Sequence, residues 1–372
     1  MQEEISKMLV KILGRIIKPK NKKIPGTVRN ILIIRSGALG DVLMTTPLIA
    51  AIRKKYKNAK ISYLVGEWSS IALKNNPNIN EIIEFDDRII FQRNMGEIIK
   101  LIRKIRALIF DICFILDKSY HWNLFAYLAK IPFRIGFERN GEGLANNLDV
   151  KFDASKHEIE YYMDIARLIG VKNASNEMKI FTTAKDRKKV NKFFRKNKLI
   201  NKIVIGIAAG GAENPGQAMY EKRWTVEKYI GLTNILTENH KIIVLLFGGR
   251  NDASVNKLIK EQCLHKNQVL DISNYNLHEA FEMMKKCSLF VTHDSGAMHI
   301  AGASKAKLIA LFGPTQAERF APKNAIIIKS PAEGCPCYDM YGDYNRKVAE
   351  KCMRAISVDT VYQEIKKIIK NI

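Results

Sequence analysis

Short runs of branched apolar residues recur along this chain with stretches of helical length between them, and that alternation limits the fold more than any other feature. The first half reads "ILIIR", a helix through "LIAAIRKKY", then "KISYLV", a helix near "SSIALKN", "EIIEF", a helix through "MGEIIKLIRKIR" and "FDICFIL"; "RIGF" and a helix through "EIEYYMDIARLIGV" follow. The second half repeats the scheme with "IVIGIA", "KIIVLLFGG", "QVLDIS", "LFVTHD", "LIALFG" and "AIIIK". Strands joined by a crossover of that length pair in parallel, since a tight hairpin delivers only an antiparallel neighbour. The expected class is α/β, with two doubly wound parallel sheets. The 372 residues also exceed the roughly 250–300 at which one hydrophobic core stops growing.

The stretch "NASNEMKIFTTAKDRKKVNKFFRKNKLINK" is polar and basic, which places the crossing between the halves near residues 175–190. The expected organisation is an N-terminal extension over residues 1–29, a first domain over 30–180, a second over 181–355 and a closing helix over 356–372 that packs back on the first domain. In the extension, Ile5, Met8, Leu9, Ile12, Leu13, Ile16 and Ile17 fall at helical spacing, with Lys7, Lys11, Arg15 and Lys18 between them. A basic amphipathic helix of this kind either docks on its own protein or lies on an anionic membrane, here through residues 1–23.

Charge narrows the company the chain keeps. Its 61 Lys and Arg against 37 Asp and Glu give a formal charge of +24, which suits nucleic acid, acidic lipid or a phosphorylated substrate. The abundance of Lys, Asn and Ile gives part of that excess the look of a coding bias. Aromatic and basic residues are not interleaved as in RNA-binding modules, so nucleic acid is not an expected partner. Nowhere do about 18 apolar residues run uninterrupted, so no segment is expected to span a bilayer. The N-terminus lacks a secretory pattern, and Cys113, Cys263 and Cys287 lie in apolar or helical segments where reduced thiols are common. A cytoplasmic protein is expected, peripheral on the inner face of the cytoplasmic membrane if the extension binds lipid.

Three motifs fall at strand ends. In "RSGALGD" a glycine-bearing turn presents a single acid, Asp41, without the spacing of a dinucleotide fingerprint or the ending of a P-loop. Asp41 is either a helix cap or a reagent. The second motif, "GGAENPGQAMYEKRWT", ends in Lys222 and Arg223 just before a helix that Thr225 can cap, which suits an anion. In the third, "FVTHDSGAMHIAGA", a strand runs into Asp294, Ser295 and Gly296, and His299 follows one turn along the helix. The N–H groups at that helix start, the Ser295 hydroxyl and the His299 ring can hold a diphosphate; Asp294 then accepts from sugar hydroxyls or caps the helix, and His293 is structural.

These motifs, in their order along the chain, resemble those of glycosyltransferase family 9, which contains the ADP-heptose:lipopolysaccharide heptosyltransferases. The matching residues are "ILIIRSGALGDVLMTTPLIAAIR", "KRW" and "DSGAMHIAGASKAKLIALFGPT", and the resemblance covers roughly residues 30 to 370. It implies a GT-B fold of two Rossmann-like domains facing a cleft. It implies a nucleotide-diphospho-sugar donor, ADP-heptose by resemblance, and a lipopolysaccharide-core or other glycolipid or oligosaccharide acceptor. Asp41 would be the general base, Lys222 a donor-phosphate contact, and Asp294, Ser295, Gly296 and His299 the lining of the donor pocket. The turn from Phe312 to Thr315, with Gly313 and Thr315, would close it. Arg223 stands where the family varies and takes no role from the resemblance.

An inverting transfer needs a base on one side and positive potential for the departing diphosphate on the other. No Asp-x-Asp triplet occurs in the chain, so no metal and no other cofactor is expected. Cys335, Cys337 and Cys352 lack the C-x-x-C pairs of a zinc site, and their role stays open between metal, redox and none. Competing readings are another GT-B sugar-nucleotide enzyme such as an epimerase, an idle sugar-nucleotide-binding protein, and a basic nucleic-acid-binding protein.

Overall fold

The structure is a computed structural model that describes residues 23–369 together with Gly14, Ile17 and Pro19. The amphipathic helix and membrane contact expected of residues 1–23 therefore lie almost wholly outside the described residues. The chain divides into two compact units, Met1–Met178 and Lys179–Ile372.

The first unit is built on β1 (Asn30–Ile34), β2 (Lys60–Gly66), β3 (Glu81–Phe85), β4 (Ile112–Ile115), β5 (Phe133–Glu138) and β6 (Leu148–Lys151). All pair in parallel in the order β3-β2-β1-β4-β5-β6. Ile31 of β1 lies opposite Ile61 on one side and Ile112 on the other. Helices cover both faces, so central strands are apolar at successive positions and β1 buries Ile31, Leu32, Ile33 and Ile34 completely. One face packs Leu32, Ile34, Leu64, Cys113 and Ile115 against Leu101, Ile105, Trp122 and Phe125 from the covering helices. The outermost strand, β6, escaped the sequence reading because "LDVK" is only half-buried and carries no apolar run.

The second unit repeats the plan with β7 (Ile203–Ala208), β8 (Ile242–Phe247), β9 (Val269–Asp271), β10 (Leu289–His293), β11 (Leu308–Phe312) and β12 (Ala325–Lys329). Their order is β9-β8-β7-β10-β11-β12, again parallel. The polar connecting stretch holds a helix of its own, Ala184–Lys196, begun by a reciprocal capping box between Thr183 and Asp186. In each sheet the chain leaves the middle strand in one direction and returns on its other side. That reversal opens a crevice at the carboxyl ends of β1 and β4, and a second at those of β7 and β10.

One domain expectation is corrected. The closing helix, Val358–Ile368, does not spend its apolar face on the first domain: Val361 and Ile365 are buried in the core of the second unit with Trp224, Tyr229 and Leu232. The Trp224 indole N–H donates to the Ile356 carbonyl at 2.9 Å and fastens the entry to this helix. Ser357 caps it by accepting from the Thr360 N–H at 3.0 Å. The three C-terminal cysteines, whose role stood open between metal, redox and none, divide into a pair and a single thiol. Cys335 and Cys352 form a disulfide with their Cα atoms 6.0 Å apart, and Cys337 is free and half-buried.

Candidate functional site

At the first crevice, β1 ends at Ile34 and the chain turns through Gly37, whose φ of 104° only glycine adopts without strain. The short helix Leu39–Met44 follows. Its N-cap position is Ala38, with no side-chain cap, and Asp41 sits in its first turn. The carboxylate does not serve the helix as a cap. Asp41 Oδ2 lies 3.1 Å from Arg35 Nη2, and Arg35 Nη1 lies 2.9 Å from Asp117 Oδ1, which comes from the loop after β4.

Asp117 is the anchor of this set. Its Oδ2 accepts from the Ser36 N–H and from the Ser36 hydroxyl, both at 2.8 Å, and that hydroxyl accepts from the Trp122 indole N–H at 3.0 Å. Arg35 is buried, which would lower its pKa, but the charges of Asp117 and Asp41 outweigh the burial and hold it above its ordinary value. The side chain of Asp41 keeps 32% of its surface in solvent and that of Asp117 only 15%. Asp41 is thus the open end of a chain of contacts whose inner members are fixed. Beside it Lys118 and Glu158 form a buried pair at 2.5 Å, with burial lowering the Lys118 pKa more than Glu158 restores it.

The sequence reading found Asp41 and missed Arg35, Asp117, Lys118 and Glu158. The signal was present for three of them: "ILIIR" and "FDICFILDK" each put charged residues directly after an apolar strand, where a crevice opens.

At the second crevice, five of the expected residues converge. Lys222 Nζ lies 2.9 Å from Asp294 Oδ2, and the Thr315 hydroxyl donates to the same oxygen at 2.8 Å. Burial pushes the Asp294 carboxyl up, but Lys222, His299 and Thr315 together outweigh it and hold the group below its ordinary value. Asp294 is not the cap of the helix Gly296–Ser304. Ser295 occupies the N-cap position without capping through its side chain, and its hydroxyl lies 3.4 Å from that of Thr292. His293 is structural as expected, fully buried with Nδ1 at 3.0 Å from the Tyr229 hydroxyl.

Arg223 fastens the glycine-bearing loop. Its Nε and Nη2 donate to the Gly211 carbonyl at 2.8 and 2.6 Å, while the Gly211 N–H donates to Asp252 at 2.7 Å. Gly313 is demanded by packing, since a Cβ there would stand 2.6 Å from Met353 Sδ and 3.1 Å from Cys352 Cβ. The loop that the disulfide closes lies on the same turn. The N–H groups of Cys337 and Tyr338 donate to the Pro314 carbonyl at 2.9 and 3.0 Å, and Lys222 Nζ stands 5.5 Å from the centre of the Tyr338 ring. Tyr338 was missed; "CPCYDMYGDY" is aromatic-rich, but nothing in its spacing points to residue 222. Among the described residues, no group of three or more His, Cys, Asp and Glu side chains is arranged to hold a metal ion.

Known proteins share this organisation. Residues 98–345 match the family described as glycosyltransferase family 9 (heptosyltransferase). Lipooligosaccharide heptosyltransferase 2 of Haemophilus influenzae is 26% identical over 311 residues, covering 79% of this chain and 86% of the relative. Among solved structures, a family 9 glycosyl transferase from Veillonella parvula superposes with a TM-score of 0.75 at 23% identity, over 91% of this chain and 97% of that one. ADP-heptose lps heptosyltransferase II of Escherichia coli does so with a TM-score of 0.70 at 22% identity, over 91% and 98%. At such identities the two structures speak for the fold alone, and it is the expected α/β class of two Rossmann-like, doubly wound sheets.

Proposed function

The chain belongs to glycosyltransferase family 9, the heptosyltransferase family, and on that premise we propose that it moves heptose from ADP-heptose to a lipopolysaccharide-core or related glycan acceptor, with inversion and without a metal. The named relatives supply the sugar, the nucleotide and the acceptor class. The observation that carries the chemistry is the division of charge between the two crevices. An accessible carboxylate ends one of them, and the other gathers Lys222, His299 and a helix N-terminus around Asp294.

In this reading an acceptor hydroxyl attacks the anomeric carbon and its proton passes to an Asp41 oxygen. The bond from the anomeric carbon to the diphosphate oxygen breaks, and ADP leaves with the electron pair. Lys222, His299 and the first N–H groups of the helix Gly296–Ser304 meet the charge that develops on the diphosphate. Arg35 and Asp117 keep Asp41 in place, and Arg223 with Asp252 keeps the glycine loop in place. The absence of an Asp-x-Asp triplet from the sequence supports turnover without a metal. The protein would act in the cytoplasm, where nucleotide-sugars are made.

The deciding experiment combines donor and acceptor. Thermal-shift measurements with ADP-, UDP- and GDP-sugars should single out ADP-heptose. Incubation with a heptose-free core acceptor should then yield a product heavier by one heptose with the anomeric configuration inverted. Stabilisation by another nucleotide-sugar alone would overturn the donor. Activity lost to EDTA and restored by Mg²⁺ or Mn²⁺ would overturn the metal-free mechanism.

A further inference from the structure

The helix Met95–Ala107 buries only part of its circumference. Leu101 and Ile105 enter the core of the first unit with Ile102 packed beside them, whereas Met95 and Ile99 remain 63% and 43% exposed. Positions 95, 99, 103 and 106 recur at helical spacing and form one stripe, in which two apolar residues are followed by Arg103 and Arg106. The short helix before it, Arg88–Phe91, packs Ile89 and Ile90 on that core and leaves Phe91 48% exposed. Trp68 adjoins this helix: its N–H donates at 3.2 Å to Asp87, the residue just before Arg88, and its side chain is 45% exposed. Residues 86–107 carry Arg88, Arg93, Lys100, Arg103, Lys104 and Arg106 against Asp86, Asp87 and Glu97. Asp86 pairs with Arg88 at 2.7 Å and Glu97 with Lys100 at 2.6 Å, so the basic excess rests on Arg93, Arg103, Lys104 and Arg106.

Isolated exposed apolar residues are ordinary, but four large ones on adjoining segments among six cations are not accounted for by the core. We propose that this surface docks on an anionic lipid bilayer, with Trp68, Phe91, Met95 and Ile99 entering the headgroup boundary and the arginines meeting lipid phosphates. Charge complementarity selects that occupant, because an apolar face ringed by Arg and Lys is the composition of interfacial helices. Its place in the fold agrees. Trp68 follows β2 and Phe91 follows β3, at the same carboxyl edge of the sheet where Asp41 follows β1. Neighbouring strands stand about 4.8 Å apart, so the docked edge carries Asp41 close to the bilayer surface. The contact is separate from that expected of residues 1–23, and its test does not depend on the transferase reading.

The test is flotation of the full-length protein with vesicles of phosphatidylcholine alone or mixed with phosphatidylglycerol. The protein is expected to float with the mixed vesicles only, and added salt should weaken it. Phe91→Ser/Met95→Ser/Ile99→Ser should cut the partition coefficient by about tenfold or more, with an unchanged melting midpoint as the check on folding. Arg103→Glu/Arg106→Glu should do the same through charge. Trp68 is exposed while Trp122 and Trp224 are buried, so brominated lipid should quench the fraction of emission that Trp68→Phe removes. Undiminished flotation of both variants, or flotation without Trp68 quenching, would overturn the proposal in favour of residues 1–23. Self-association that the triple variant abolishes, with no vesicle binding, would overturn it in favour of a second copy of the chain.

Discussion

Arg35 holds Asp41 at 3.1 Å with one guanidinium nitrogen and Asp117 at 2.9 Å with another. The two acids have different surroundings. Asp117 also accepts from the backbone and hydroxyl of Ser36, whereas the only ion pair of Asp41 among the described residues is with Arg35, and its side chain reaches solvent. Arg35 therefore transmits the position of a fixed carboxylate to an accessible one.

Asp41→Asn should lower kcat by about 10² to 10⁴, the range that a positioned general base contributes. The thermal shift produced by donor should not change, because the donor residues lie in the other unit. Near wild-type turnover in a folded variant would remove Asp41 from the chemistry.

Arg35→Met should be costly to the fold as well as to turnover. It strands Asp117 in a largely buried setting, and breaking such a pair costs on the order of 3 kcal/mol. Urea denaturation of Arg35→Met and of Arg35→Met/Asp117→Asn measures this, with the double variant recovering part of the loss.

Lys222→Met removes the cation nearest Asp294, and Thr315 and His299 then support the buried carboxylate without it. Donor KM should rise at least about tenfold, one lost charge-assisted contact. The stability lost should return in part in Lys222→Met/Asp294→Asn, because the amide needs no counter-charge.

His293 gives the fold an acid sensitivity. Burial pushes its imidazole down to about 3 from an ordinary 6.5, and Asp294 restores only part of that. Between those values the unfolded chain holds a proton that the native chain lacks, so stability falls as pH falls, by about 1.4 kcal/mol per pH unit. Chemical denaturation at a series of pH values across that window should show this slope. His293→Asn should reduce it by about one proton.

Reduction of the Cys335–Cys352 disulfide should cost about 3 kcal/mol, the loop-closure contribution for a loop of this size. The loop it closes contacts Pro314 and Lys222, so donor binding should weaken with it. A melt with and without reductant, in the presence and absence of ADP, separates the two effects.

Much of the fold was legible because a parallel strand covered on both faces must be apolar at successive positions, and the runs at β1, β4, β7 and β10 meet that demand. The connecting helix at 184–196 and the strand β6 were not, because each is amphipathic or half-exposed and lies in a polar stretch. Seven of the eight singled-out residues (Lys222, Asp294, Ser295, Gly296, His299, Gly313 and Thr315) lie on or around one crevice of the second unit. The first crevice was read from Asp41 alone. The sequence by itself determined which strands are buried and that Gly37 and Asp294 stand just past strand ends, with Asp41 and Lys222 in the connections that follow, since local periodicity and turn chemistry act over a few residues. Only the tertiary structure decided that Arg35 meets Asp117 across 82 residues, that Lys222 and Thr315 share one oxygen of Asp294, and that Cys335 chooses Cys352 over Cys337. Those pairings depend on strand order, which brings distant strand ends side by side and leaves no periodic trace in the chain.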